Sequence, residues 1–281
     1  MRHERLFGLR RPPIPGVVLQ AYGHTDKGSV RASNEDCFAV DERLQLCVVA
    51  DGMGGHNAGE VAARLAVRNL LESVRAHISP PSSPEPGAAG PAPEWPFGFD
   101  PLLSHAGNCL RTAIHVANEH ILEASMADEE CAGMGTTVVA AIMQGGRLSV
   151  AHAGDSRLYV LGATGLRPLT RDDSWTAAVA ARDGTIDPAV ARNHPMRNAL
   201  TNVVGTRPSP DVHVTEETLA GGDLLLLSTD GVHGALDDCW LARLLAGTDD
   251  LRAMAVGLVD AAIASGSRDN CTAVVARYLP D

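Results

Sequence analysis

With 281 residues, 45% apolar side chains and only 4% aromatics, the chain can bury a sizeable core, which must be built from Val, Leu, Ala and Ile. Its formal net charge of −11 removes the basic footprint that nucleic acid or an acidic membrane surface requires. A phosphorylated substrate would be repelled too, unless bound cations reverse the field inside the site.

Residues 1–16 are basic and Pro-rich and read as a loose arm, and Met1-Arg2-His3-Glu4-Arg5-Leu6-Phe7-Gly8 is a poor signal peptide. Short strands are expected at Val17–Ala21, Cys37–Val40 and Leu44–Ala50. Asn57, with Glu60 three residues on, opens a helix running to about residue 77, its apolar stripe Val61, Leu65, Ala66 or Val67, Leu70, Leu71 and Val74. Pro and Gly forbid regular structure over 79–99, which reads as an inserted surface loop within one domain spanning 17–281. A second amphipathic helix is expected to start at Asp100-Pro101, with Leu103, Leu110, Ile114, Ala117 and Ile121 on its stripe.

From Thr136 the texture changes to strands: a hairpin over Thr136–Met143 and Arg147–Ala153, then Ser156–Leu161, a turn at 162–165, and Leu166–Leu169. Residues 170–210, with a short helix near Trp175–Arg182, read as a flap. Strands resume at Val212–Val214 and Asp223–Ser228; helices follow at Asp238–Leu245 and Leu251–Ser265, then a last strand at Cys271–Leu279. Strand groups and helix pairs are segregated, which predicts an α+β fold with helices packed on antiparallel sheets.

No apolar run approaches the roughly 20 residues of a membrane span. The six cysteines, Cys37, Cys47, Cys109, Cys131, Cys239 and Cys271, show neither a CxxC pair nor framework spacing. The expectation is a soluble, cytoplasmic monomer without zinc or disulfides.

Four acidic turns carry the chemistry: Asn34-Glu35-Asp36, Asp51-Gly52-Met53-Gly54-Gly55-His56, Ser228-Thr229-Asp230-Gly231 and Arg268-Asp269-Asn270. Three of them adjoin apolar strands, so their carboxylates can converge at strand ends. A single Asp-Gly is most often a plain turn. Four acidic turns in this order instead suit an oxygen-lined Mg²⁺ or Mn²⁺ site. A carboxylate such as Asp51, able to bridge two cations, fits a two-metal arrangement that activates water for in-line attack on phosphorus. Arg31, four residues before Glu35, is a candidate phosphate clamp, and His56 a candidate general acid. The glycine cluster is no nucleotide loop, since no Gly-Lys-Ser/Thr follows. Asp155 and Arg157 of Ala153-Gly154-Asp155-Ser156-Arg157 are expected to pair with each other or cap backbone, a structural role.

Together with Gly133-Met134-Gly135-Thr136-Thr137, Leu169-Thr170 and Asn198-Ala199-Leu200-Thr201, these stretches resemble the metal-dependent protein serine/threonine phosphatases of type 2C (PPM) in their bacterial form, over roughly residues 18–279. The resemblance implies a sandwich of two antiparallel sheets with a helix pair on each outer face. It implies that Asp51 bridges two ions and Gly52 offers its carbonyl, that Asp230 and Asp269 hold the first ion, and that Glu35 and Asp36 sit by the second. Arg31 would grip the phosphoryl group, and water, not a side chain, would be the nucleophile. The acid that bacterial relatives often carry before Gly-Met-Gly-Thr-Thr, linked with a third ion, is Ala132 here, with Asp128, Glu129 or Glu130 as loop-shifted substitutes. The usual histidine after Leu-Thr-x-Asp is Asp173. The implied function is hydrolysis of phosphoserine and phosphothreonine in proteins, opposing a bacterial serine/threonine kinase. A phosphoprotein-binding module without catalysis and a small-molecule phosphohydrolase are the rival readings.

Overall fold

The computed structural model describes residues 19–55, 58–78, 95–144, 146–182, 194–196 and 199–279. The expected arm at 1–16, most of the 79–99 loop, the Asn57 cap, His56 and part of the flap lie outside the described residues.

Strands β1 (Leu19–Asp26), β2 (Asp36–Asp41) and β3 (Leu46–Met53) lead into helices α1 (Ala58–His77) and α2 (His105–Ala127). Strands β4 (Gly135–Thr136), β5 (Val138–Gln144), β6 (Arg147–Ala153), β7 (Arg157–Gly162) and β8 (Gly165–Pro168) follow. After α3 (Trp175–Arg182) come β9 (His213–Thr218) and β10 (Leu224–Ser228). The chain closes with α4 (Asp230–His233), α5 (Asp238–Ala246), α6 (Leu251–Ala264) and β11 (Cys271–Tyr278). One antiparallel sheet runs β1-β11-β10-β7-β8 and the other β2-β3-β5-β6-β9, with β4 paired to β3.

The layering follows from the two-residue period of a strand, which sends alternate side chains to opposite faces. In β10, Leu225 and Leu227 enter the core between the sheets, while Leu224 and Leu226 face the core under α4, α5 and α6. In β3, Cys47 and Val49 join the inter-sheet core, while Leu46, Val48 and Ala50 pack under α1 and α2. Strands covered on both faces read as unbroken apolar runs, and the result is the expected four-layer α-β-β-α sandwich.

Helix α1 departs from its expected stripe. Val61 is 38% exposed, and the fully buried face runs through Ala62, Ala63, Ala66 and Leu70. Small side chains let the helix settle close on β3. The second helix starts later than expected, at His105: the Ser104 hydroxyl accepts from Gly107 N as its cap. Asp100 is occupied in the preceding turn, where its Oδ1 accepts from Leu102 N. Among the described residues no helix is long and apolar enough to cross a membrane.

Candidate metal centre

Antiparallel pairing of β2 with β3 sets Asp36 directly opposite Asp51. Strand β3 does not stop at Ala50, as the apolar run suggested; it continues through Asp51 to Met53, because Gly52 and Met53 pair with Thr136 and Gly135 of β4. Thr136 Oγ1 donates to the Asp51 carbonyl (2.8 Å), and Asp51 N donates to Thr137 Oγ1 (3.2 Å), so the Gly-Thr-Thr segment clamps this backbone. Gly52 is required here: a Cβ would stand 2.0 Å from the Gly59 carbonyl oxygen at the start of α1.

The other sheet contributes Asp230 and Asp269. Asp230 opens α4 directly after β10, and a Cβ on Gly231 would lie 1.9 Å from the Asn270 carbonyl oxygen, so only glycine lets this turn abut the start of β11. Asn270 fixes the loop that carries Arg31 and Glu35: its Oδ1 accepts from Glu35 N (2.9 Å), and its Nδ2 donates to the Lys27 and Ser33 carbonyls (2.9 Å each). Arg31 Nη2 donates to Asp269 Oδ2 at 2.6 Å.

The sheets are joined at this end by Asp36. Its Oδ2 accepts from Thr229 Oγ1 (2.9 Å) and Thr272 Oγ1 (2.6 Å), both from the opposite sheet's strand ends. Its Oδ1 is buried with no hydrogen-bond partner, and so is Oδ1 of Asp230. Buried polar atoms are nearly always satisfied. Two unclaimed carboxylate oxygens in one cluster therefore fit a missing cation, and oxygen is the donor that hard divalent ions take.

The electrostatics agree. Burial pushes Asp36 up to about 7 against the pull of the Thr272 and Thr229 hydroxyls, with Asp230 and Asp269 adding repulsion. Burial, then the charges of Asp36, Asp230, Asp155 and Asp269, holds Asp51 well above the usual carboxylate range. Asp230 rises to about 6 through burial and Asp269, opposed by Arg31, and burial raises Glu35. A cluster that cannot ionise fully by itself is one a cation would stabilise. Among the described residues no three acidic, His or Cys side chains already stand in a finished ligand cage. The convergence of Asp36, Asp51, Asp230 and Asp269 is one of shared field and backbone placement.

Asp155 departs from one half of its expected role, the pair with Arg157, while the backbone hydrogen bond its carboxylate accepts agrees with the other half. It does not pair with Arg157, whose guanidinium forks onto Asp172 (Nε–Oδ1 2.8 Å, Nη2–Oδ2 2.7 Å). Asp155 instead faces the acid cluster, and burial followed by the charge of Asp230 raises it to about 7. Thr229, Thr272 and Asn270 are site residues whose roles the sequence reading did not assign. Asp128 is exposed and its Oδ1 accepts from Glu130 N, and Ala132 is exposed beside them. His56 lies outside the described residues. His233, three residues after Asp230, cannot serve as an acid: burial, with Arg157 nearby, lowers it to about 3.

Carboxylates with unclaimed oxygens, gathered where two antiparallel sheets meet under paired helices, define an α+β sandwich built around an acid-lined end. The protein phosphatase 2C family profile matches residues 22–256, and the chain belongs to that family. It is 32% identical over 260 residues to serine/threonine protein phosphatase PstP of Mycobacterium tuberculosis, a match covering 92% of this chain but 45% of PstP. The chain thus spans less than half of that relative's length. It is 31% identical to serine/threonine phosphatase stp of Listeria monocytogenes, covering 92% of this chain and 95% of stp. Among solved structures, M. tuberculosis PstP/Ppp is 30% identical with a TM-score of 0.78, covering 94% of this chain and 100% of that one. The PstP catalytic domain in complex with two manganese ions is 28% identical with a TM-score of 0.75, covering 94% and 99%.

Proposed function

We propose that this chain is a Mn²⁺- or Mg²⁺-dependent protein phosphatase that hydrolyses phosphoserine and phosphothreonine, opposing a serine/threonine kinase. The observation that carries the reading is the pair of buried, unpartnered oxygens on Asp36 and Asp230, one from each sheet, within a mutually repelling acid cluster. In this reading Asp51 would be the ligand common to two cations, Asp230 and Asp269 would hold one and Asp36 and Glu35 the other, and the Gly52 carbonyl would be a further oxygen donor. A bound cation pair supplies a water that is nucleophilic at neutral pH and neutralises phosphoryl charge.

The chain's own residues do the rest. Arg31 is 49% exposed at its side chain, so its guanidinium can leave Asp269 and fork onto two phosphoryl oxygens. Asp269 is then released for a cation, which makes phosphate capture and ion binding mutually supporting. The Thr229 and Thr272 hydroxyls hold one oxygen of Asp36 and leave the other for a ligand's role. The leaving serine or threonine oxygen needs a proton, for which His56 and solvent are the available sources.

The test is hydrolysis of a phosphothreonine peptide followed by phosphate release. Mn²⁺ should support turnover, and chelation with EDTA should remove it. Full activity in EDTA would overturn the reading.

A further inference from the structure

Beside the acid cluster runs an open groove of about 570 Å³ that the catalytic reading leaves without a role. Its lining includes Val30 and Arg31, Gly231, Arg268, and Asp230 and Asp269 of the acid cluster. A phosphorylated residue seated on those acids' cations would send its neighbours along this groove. A role for this groove therefore depends on the phosphatase reading above.

The lining sets Arg31 and Arg268 against Asp230 and Asp269, so the groove is balanced in charge where the chain as a whole carries −11. Arg31 and Arg268 of the lining are exposed, as is Lys27, which lies outside the lining but is tied to the same loop through its carbonyl and Asn270 Nδ2. Arg31 has Asp269 as its partner. Among the described residues Arg268 and Lys27 have neither an ion pair nor a side-chain hydrogen bond. The carboxylates nearby are committed: Asp230 and Asp269 belong to the acid cluster, and Asp26 Oδ1 accepts from Gly28 N at 2.7 Å.

The backbone that displays these cations is held from both sides. Ser267 Oγ donates to the Gly231 carbonyl at 2.8 Å, one residue before Arg268. Asn270, two residues after it, donates to the Lys27 carbonyl at 2.9 Å. An unpaired guanidinium on a fixed backbone, lining a groove that leads from the reaction centre, is preorganised to receive an anion. An extended peptide advances about 3.3 Å per residue, so a side chain lining the groove beside Asp269 meets substrate positions close to the phosphorylated one.

We infer that Arg268, with Lys27 at its edge, forms a subsite for an acidic side chain flanking the phosphorylated residue of the substrate protein. Arginine matches a carboxylate with two parallel hydrogen bonds, and the groove's openness accommodates an extended segment. The subsite selects among phosphoproteins by the residues around the phosphate.

The experiment compares kcat/KM, with Mn²⁺ present, for two phosphothreonine peptides that differ only in carrying glutamate or lysine next to the phosphothreonine. The ratio is read within each protein. Wild type should favour the glutamate peptide about fivefold at low salt, the size expected for an exposed ion pair. Raising the salt to about 0.5 M should erode the preference. Arg268→Gln should bring the ratio towards one, Arg268→Glu should invert it, and Lys27→Ala should lower it about twofold. Circular dichroism confirms that each variant is folded. A ratio in Arg268→Glu equal to that of wild type removes the subsite while the phosphatase reading stands; no hydrolysis of either peptide by wild type removes both.

Discussion

Asp155 lies within the Ala153–Arg157 turn and Asp173 is hydrogen-bonded to it, and their carboxylates have opposite surroundings. Asp173 Oδ2 accepts from Gly154 N (3.0 Å) and Asn202 Nδ2 (2.6 Å), and its Oδ1 from His213 Nε2 (2.9 Å). Its backbone also exchanges bonds with Gly154 O (3.0 Å) and Thr201 N (2.8 Å). This aspartate is a fully satisfied knot tying the flap and β9 to the turn. Asp155, two residues from Ala153 on the same turn, faces other carboxylates and is raised to about 7. Asp173 has donors on both oxygens, whereas Asp36 has them on Oδ2 alone and Asp230 has none on its buried Oδ1. Satisfaction, not acidity, separates the two groups.

The largest effect should come from the withheld side. Asp51→Asn removes the shared ligand and should cut Mn²⁺-dependent phosphopeptide hydrolysis about a thousandfold or more. The same variant should melt higher than wild type in EDTA, because it deletes a charge crowded by Asp36, Asp230, Asp155 and Asp269. Lower stability in EDTA would mean the carboxylates are not in conflict.

On the satisfied side, Asp173→Ala strands three donors at once. It should cost about 2–4 kcal/mol in urea unfolding, with Asp173→Asn milder because it keeps one acceptor oxygen. A loss below the range for a plain surface site would contradict the knot. Arg31→Ala should reduce kcat/KM about 10- to 100-fold with little change in stability, since its partner Asp269 is partly exposed.

The smallest effect is on pH dependence in EDTA. Folding raises Asp36 and Asp155 to about 7 and Asp230 to about 6. Between the ordinary carboxylate range and pH 7 the folded chain therefore holds protons that the unfolded chain has lost. The contribution of these acids to stability is full at low pH and declines as pH rises to about 7. Melting temperatures in EDTA should carry that downward component between pH 5 and 7.5, and Mn²⁺, which favours the ionised forms, should cancel it.

The acid cluster was legible because Asp51, Asp230 and Asp269 fall beside apolar strands, a pattern with few structural uses. The strands were legible for the same reason: Leu224–Leu227 and Val48–Ala50 have no polar face to mislead. Thr229, Thr272 and Asn270 were not, since a hydroxyl or amide beside a strand looks ordinary until its cross-sheet partner is known. Asp155 was misread because its nearness to Arg157 in sequence suggests a local pair, whereas Arg157 has Asp172, brought close by folding, as its partner. The start of α2 was placed too early because Asp100-Pro101 has the look of a cap and first turn, whereas Asp100 serves the turn before the helix and Ser104 is the cap.

Thr229 and Thr272 reach across from one sheet to grip an aspartate of the other, with the Thr272 hydroxyl also 2.7 Å from Thr25 Oγ1. The sandwich is thereby buttoned at its acid-lined end. Any ion or phosphate that tightens Asp36 is felt by both layers together, so amide exchange in β2 and β11 should slow in concert when Mn²⁺ is added, even though the strands belong to different sheets.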